Sequence, residues 1–429
     1  MSPQPGARRA YRVYLILEGL QALFFTMIAT VNLVYQVEVA HLNPLQLVLV
    51  GTTLETVAAI LQVPTGALAD VYGRRRAIIL GIALEGVGFA IEGLVPRFAV
   101  ILAAQIIWGA GATFTDGALE AWIADEVGEE RVGDVFLRGA QVGQLGAVVG
   151  AGVSVALASL RLNLPIVAGG ALLVLLALCL GLAMPERQRP RPAGEADGSS
   201  WARIAATATN GARLVRASPV LLIILAVGVC YGASSEGFDR LAAAHYLRDL
   251  AIPGLGPFKP VVWFGVMAVG TMLLSLAATE LLRRRMRAAS HERITRLLSA
   301  FAVVEVAGMV AFALAGSFWL ALAAYWGYLV LRRAAGPLYA TWLTQSSAPE
   351  VRATVISLSG MADAGGQILG GPVIGLVGSA ISLRAALVAS GMALAPALAL
   401  FTRARGRLRA VAPGAEAAVA PGTTVEAGP

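Results

Sequence analysis

Twelve ionisable side chains fall inside stretches of this chain that are otherwise apolar: Glu18, Glu55, Glu85, Glu92, Asp116, Glu120, Glu236, Asp239, Glu305, Arg332, Arg333 and Asp363. A charge at bilayer depth is costly, so each such residue marks either a buried pairing or a place where a proton, ion or polar substrate is handled. Glu18 lies about 9 Å along the first apolar run at 1.5 Å per residue. It is the first choice for a proton carrier, and the competing role is partner to an arginine at the membrane edge. Asp116 and Glu120 are four apart and share one helix face, as gate or proton-relay groups. Glu236 and Arg240 have the same spacing and can simply pair. Gly81, Glu85, Gly88 and Glu92 form one stripe, which reads as a packing face with structural pairing, near Glu55; Glu305 reads the same way. Arg332 and Arg333 differ by about 100° around a helix, so only one points squarely inward. Gly336 and Tyr339 share the face of Arg332, which favours Arg332.

Other chemistries are missing. The three histidines, His41, His245 and His291, read as lying at or outside the ends of the apolar runs, and Cys179 and Cys230 lie within them. No metal-ligand spacing, nucleophile elbow or phosphate-binding loop is present, so neither an enzyme nor a cofactor is expected.

The elements that must position these residues follow from composition. Hydrophobic residues make up 57% of the chain and charged residues only 14%, well below the roughly one-quarter of a soluble domain. Apolar runs of about 20 residues recur, the length that crosses a bilayer core as a helix. The expected fold class is an all-α polytopic membrane protein. Twelve spans are expected, near 12–38, 44–68, 76–95, 98–126, 135–160, 164–184, 219–246, 258–282, 295–315, 317–345, 353–378 and 383–402. The net charge of +7 is almost all arginine, Lys259 being the only lysine, and it sits between the runs. That distribution speaks for membrane orientation and against nucleic acid.

Alternate connections carry the arginines: Arg74–Arg76, the Arg187–Arg216 segment, Arg283–Arg287 and Arg403–Arg409 on one side, against Arg97, Arg161, Arg248, Lys259 and Arg384 on the other. The arginine-rich side faces the cytoplasm, with both termini inside, in a cell membrane. The division expected is a six-helix bundle over 1–184, a Pro/Gly/Arg-rich linker over 185–218, a second six-helix bundle over 219–402 and a disordered tail over 403–429. Within the linker, Trp201–Arg216 suits an amphipathic surface helix. A faint repeat at a shift of 220 residues places Trp122 on Trp342, Glu130 on Glu350 and Gly150 on Gly370. Two parallel repeats are an arrangement of secondary transporters.

One polar interruption is specific. Residues 64–76 read PTGALADVYGRRR, between the second and third spans. Gly66 suits close helix approach, Gly73 suits a turn with positive backbone angle, and Asp70 at the membrane edge suits a helix N-terminus or an arginine. For Arg75 and Arg76, orientation of the hairpin alone is an equally good account. Gly66-Ala-Leu-Ala-Asp70-Val-Tyr-Gly73-Arg74-Arg75 resembles the loop-2/3 signature G-x-L-A-D-x-x-G-R-[RK] of the major facilitator superfamily, in style its twelve-span drug–proton antiporters. A degraded copy, Glu280-Leu-Leu-Arg283-Arg-Arg-Met-Arg287, follows span 8.

The resemblance implies two six-helix parallel pseudo-repeats working by alternating access, with spans 1, 4, 7 and 10 around a central cavity. It implies a cytoplasmic gate from Gly66, Asp70, Gly73, Arg74, Asp116 and Glu120, where Asp70 belongs to a charge latch. Proton-coupling candidates are Glu18, Glu55 and Asp116. Substrate-cavity candidates are Phe25, Trp108, Phe114, Glu236, Asp239, Arg332 and Tyr339; interfacial belts account for Trp122, Trp319 and Trp342. The function expected is proton-coupled efflux of a lipophilic or cationic small molecule by a monomer. The alternative is an importer or facilitator of a small metabolite, with Arg332 on an anionic group. Two departures bear on drug export. Gln105-Ile-Ile-Trp108-Gly109 lacks the arginine of R-x-x-Q-G, and span 5 lacks the proline of G-P-x-x-G, which occurs instead as Gly371-Pro372-Val-Ile-Gly375 in span 11.

Overall fold

The polar turns between apolar runs stop and start helices by ordinary capping chemistry. At the second span, the Asn43 side chain accepts from Gln46 N at 2.9 Å and Gln46 Oε1 accepts from Asn43 N at 3.0 Å, with Pro44 at the first helical position. This reciprocal box satisfies donors that the helix itself leaves unpaired. Ser218, Ser290 and Ser317 cap three later helices through their hydroxyls. At the opposite end of the second helix, Gly73 at φ 100° makes the turn into the third, a backbone angle open to glycine at little cost.

The structure, a computed structural model, describes residues 5–185, 218–256, 259–286, 290–347, 349 and 352–416. Among these residues every element is a helix: α1 Pro5–Glu38, α2 Pro44–Tyr72, α3 Arg74–Leu94, α4 Phe98–Thr115, α5 Ala118–Val127, α6 Glu129–Leu160, α7 Leu164–Ala183, α8 Pro219–Asp249, α9 Val262–Arg285, α10 His291–Leu314, α11 Phe318–Gln345, α12 Arg352–Ala380 and α13 Leu383–Glu416. The linker expected over 185–218 lies outside the described residues except at its ends. The same holds for Trp201–Arg216, Arg287, Glu350 and residues 417–429.

Ten stretches are long and apolar enough to cross a membrane, with α4 and α5 counted as one. The other two, α11 and α12, are as long as their neighbours at 28 and 29 residues. Arg332 and Arg333 in α11, and Asp363 with several glycines and serines in α12, lower their hydropathy. The chain is thus an all-α polytopic membrane protein with twelve crossing helices.

Two expectations of helix continuity need correction. The fourth span is not one helix: Asp116 leaves α4 extended (ψ 123°) and Gly117 takes φ 72° before α5 begins. Asp116 and Glu120 therefore do not share a continuous helix face. The Thr-Asp-Gly sequence there is a helix-stop signal, glycine being favoured where φ turns positive. At the C-terminus, α13 runs on to Glu416 rather than ending near residue 402.

Helices α1–α7 pack mainly on one another, as do α8–α13, and α2 against α12 is the chief contact between the two sets. Within lipid, helix association relies on close backbone approach rather than on water release. Glycines supply it: a Cβ on Gly146 or Gly150 of α6 would collide with the Gly19 or Leu23 carbonyl oxygen of α1. The glycine-rich fifth span is thus a packing surface. Trp122 and Trp342 are not interfacial. Both are buried in the core, at 3% and 0% exposed, and the Trp122 indole donates to Pro185 O at 2.9 Å. Trp319 is 60% exposed.

Candidate functional site

The geometry of α2 and α12 defines the site. At one end the helices touch: Leu45 N donates to Ser379 Oγ at 3.0 Å, and a Cβ on Gly378 would meet Pro44 Cβ at 2.7 Å. A Cβ on Gly375 would lie 3.1 Å from Leu45, and one on Gly371 3.1 Å from Val48 and Thr52. Toward the other end they diverge. Gly66 on α2 and Gly360 and Gly365 on α12 have nothing within 4 Å of a would-be Cβ, and Val63, Val71 and Met361 are exposed. Between the splayed halves lies a cavity of about 1240 Å³. The open end is the one that carries Arg74–Arg76.

Six carboxylates line this cavity: Glu18 on α1, Glu55 on α2, Glu85 on α3, Asp116 and Glu120 about the α4–α5 break, and Asp363 on α12. Among the described residues, no arginine or lysine does. Phe25 and Trp108 form an aromatic wall, their rings 6.1 Å apart, with Phe89 at 4.8 Å from Trp108. Polar uncharged groups complete it: Gln62 Nε2 donates to Asp116 Oδ2 at 2.9 Å, Thr115 Oγ1 to Glu85 Oε1 at 3.1 Å, and Gln367 Nε2 to Asp363 Oδ2 at 2.9 Å.

Glu85 and Asp363 were not singled out as site residues from sequence. Glu85 reaches the cavity because Gly81 and Gly111 let α3 and α4 press backbone to backbone; a Cβ on either would lie within 2.7 Å of the other's carbonyl oxygen. The Gly81–Glu85–Gly88 stripe held that signal. The stripe packs on α4, and Glu55 is not its hydrogen-bonding neighbour. Glu92, one turn further and fully buried, accepts from Gln36 at 2.7 Å and Gln105 at 2.8 Å.

Other expected cavity residues stand elsewhere. Glu236 is buried and receives Arg240 Nε at 3.1 Å, and this pair is wedged against Gly51 of α2 and Gly371 of α12. Arg332 Nη1 binds both oxygens of Asp239, at 2.9 and 2.8 Å, and Arg333 is exposed. Tyr339 donates to Ile224 O at 2.9 Å and lies 3.0 Å from Ser359 Oγ, inside the second set of helices. Phe114 packs in the core of the first set. None of these five lines the cavity. Arginine and carboxylate neutralise each other, within α8 for Glu236 and between α8 and α11 for Asp239, and so withdraw from the open space.

At the arginine-bearing end, Arg74 pairs with Asp125 of α5 and donates to Ala121 O at 2.8 Å, and Arg75 donates to Gly181 O of α7. Arg75 therefore ties α3 to α7 rather than only orienting a hairpin. Gly66 makes no close approach, because its half of α2 has swung away from α12. Glu280 binds Arg283 and Arg284 within its own helix, both at 2.7 Å, on an exposed surface. His245 lies in the last turn of α8, near the span end as expected, with its ring fully buried.

Comparison with known proteins agrees with this architecture. The family model for the Major Facilitator Superfamily matches residues 15–331. An uncharacterised MFS-type transporter, YxaM of Bacillus subtilis (strain 168), is 29% identical over 121 residues, which is 28% of this chain; the match spans 30% of that relative's length. Among solved structures, a bacterial homologue of the human lysosomal transporter Spinster, inward-facing and unoccupied, superposes with a TM-score of 0.73 at 16% identity, covering 94% of this chain and 98% of that one. The nucleoside transporter NupG gives 0.72 at 14% identity, covering 92% and 98%. A POT family transporter in complex with a thioalcohol-conjugated peptide gives 0.70 at 12% identity, covering 92% and 95%.

Proposed function

Since the chain belongs to the Major Facilitator Superfamily, we propose that it exports a lipophilic, cationic small molecule by alternating access in exchange for protons. The observation that carries this reading is the cavity wall, which among the described residues has six carboxylates, two aromatic rings and no basic residue. Carboxylates attract a cation, and aromatic faces favour it further through their quadrupoles. A cavity without a basic residue is poorly suited to an anionic metabolite. With Arg332 held by Asp239, the importer reading lacks its anion-binding group.

The moving parts proposed are residues 1–184 and 219–402, joined by the 185–218 linker and rocking about the α2–α12 contact. By the positive-inside rule, the open end carrying Arg74–Arg76 faces the cytoplasm, and both termini lie there, in the cell membrane. The inward-facing form of the Spinster homologue supports the same sense of opening. Gly73, Asp70 and Arg74 form the latch at that end, with Asp125 as the partner of Arg74. Asp116 and Glu120 flank the hinge at Gly117. Glu18 and Glu55 reach the cavity from α1 and α2 and serve as proton carriers, with Asp116 nearer the mouth.

The test is transport in proteoliposomes of a fluorescent lipophilic cation under an imposed proton gradient. Gradient-driven movement that is lost in Glu18→Gln is expected. Transport indifferent to the gradient overturns the coupling, and a preference for anionic over cationic compounds overturns the substrate class.

A further inference from the structure

On the closed side of the aromatic wall, a single carboxylate is buried among amides. Glu92 of α3 is fully enclosed. Its Oε1 accepts from Gln36 Nε2 of α1 at 2.7 Å, and its Oε2 accepts from Gln105 Nε2 of α4 at 2.8 Å. The side chain of Asn32, one turn from Gln36 on α1, stands beside the same carboxylate. Gln36 and Gln105 are 0% and 1% exposed. Asn32 Oδ1, Gln36 Oε1 and Gln105 Oε1 are all enclosed without a hydrogen-bond donor. One negative charge and three unpaired amide oxygens thus lie together inside the first set of helices. We propose that Asn32, Gln36, Glu92 and Gln105 form a binding site for a small monovalent cation, sodium, which ties α1, α3 and α4 together.

Charge and hydrogen bonding both support the site. Among the described residues no cationic side chain pairs with Glu92. Arg240 of α8, whose field reaches it, is already bound to Glu236 at 3.1 Å. An unpartnered charge is costly at membrane depth, and so is each buried acceptor left without a donor. Helix backbones cannot supply that donor, because their N–H groups are used within the helix, while each carbonyl keeps a second lone pair. A half-turn of each amide about its last bond exchanges NH2 for oxygen at almost no change in volume. The NH2 groups then face helix carbonyls, and the three oxygens turn toward the carboxylate. Oxygens so gathered repel one another until a cation lies between them. Amide and carboxylate oxygens are hard donors, suited to sodium-like ions rather than to zinc or copper. One carboxylate balances one positive charge; a divalent ion would leave a buried charge of the opposite sign.

The site is distinct from the cavity. Trp108, one turn from Gln105 on α4, lines the cavity. Its ring lies 4.8 Å from that of Phe89, one turn from Glu92 on α3. The four residues therefore sit behind the aromatic wall, apart from the six cavity carboxylates, and the site does not depend on what the cavity carries.

The test is equilibrium binding of radioactive sodium to the full-length protein in detergent, at an ionic strength held with N-methylglucamine chloride. Thermal unfolding is followed over the same sodium range. Saturable binding of one ion per chain is expected, with a melting temperature that rises with sodium, because a ligand held only by the folded form stabilises it. Glu92→Gln keeps the shape and removes the charge. It should bind no sodium and show no rise, yet melt no lower than the parent in sodium-free buffer. Gln36→Leu and Gln105→Leu keep the charge and each remove one oxygen, so half-saturation should move to higher sodium even if Glu92→Gln fails to fold. Absence of saturable binding in the parent, binding retained in Glu92→Gln, or unchanged half-saturation in both leucine variants overturns the site. Loss of binding in Asp363→Asn also overturns it, by placing the ion in the cavity. Neither measurement uses a transported compound or a proton gradient, so failure here is distinct from failure of the transport reading.

Discussion

Arg332 reaches from α11 to α8 and holds both carboxylate oxygens of Asp239, at 2.9 and 2.8 Å, with the Tyr328 hydroxyl 3.3 Å from the same nitrogen. Two residues that could each have served a substrate thus serve one another. The guanidinium also lies over the Tyr328 ring, 5.9 Å from its centre, so α8 and α11 are joined by charge and by aromatic contact together.

Breaking this pair is expected to act on stability and not on substrate recognition. Arg332→Leu or Asp239→Leu should each lower unfolding stability by about 1–3 kcal/mol, between the values for exposed and buried pairs. The double variant should lose less than the sum. Thermal unfolding in detergent measures the coupling, and an unchanged KM for the transported cation checks that the pair stands outside the cavity.

The α2–α12 contact should not tolerate bulk at its closed end. Gly378→Leu forces a side chain into Pro44, where a Cβ alone would sit 2.7 Å from the proline Cβ. Overpacking of this kind costs about 1–3 kcal/mol, borne only by the form in which the helices touch. Spin labels at Val39 and Ile381 should report a longer mean distance. The same change at Gly360, which has open space around it, should leave that distance as it is.

Cavity charge should set affinity. Glu85→Gln and Asp363→Asn each remove a negative charge without changing shape, and should weaken binding of a monovalent cation by about 1–2 kcal/mol at a protein-surface permittivity. Equilibrium titration of a fluorescent cation measures this. The two losses should add within error, because the residues lie on different helices and share no hydrogen-bond partner.

The buried tryptophans should behave as core. Trp342→Ala, at a fully enclosed position, should cost about 3–5 kcal/mol by cavity formation. Trp319→Ala, at the exposed surface, should fall within about 0.5 kcal/mol of the parent. A comparison of melting temperatures decides between core and belt.

Much of the architecture was legible from residues 64–76 and from hydropathy alone. Apolar runs long enough to span a bilayer leave the backbone no stable alternative to helix, since its polar groups find no water there. The helix ends at Asn43–Pro44 and Gly73 were written in capping and turn chemistry, and the family resemblance rested on the same stretch. The stop at Thr115–Asp116–Gly117 was legible too, yet the apolar run across it masked the signal.

What the sequence by itself determined is the set of helices, their ends and the carboxylates they carry, because these depend on neighbours along the chain and on the solvent. Which carboxylates face open space only the tertiary structure decided. Glu85 and Glu92 share a stripe on α3, but glycine contacts with α4 deliver Glu85 to the cavity and bury Glu92 between two glutamines. Glu236 and Asp239 sit on a helix expected to line the cavity, but Arg240 and Arg332 take them out of it. His245 meets Asp249 within its own helix, and only the packing of α10 brings the Phe312 carbonyl to its other ring nitrogen. The Glu236–Arg240 pair was offered by its spacing of four, but the partners of Glu92 and Asp239 lie 13 to 93 residues away, brought into contact by helix packing, and no local pattern encodes that.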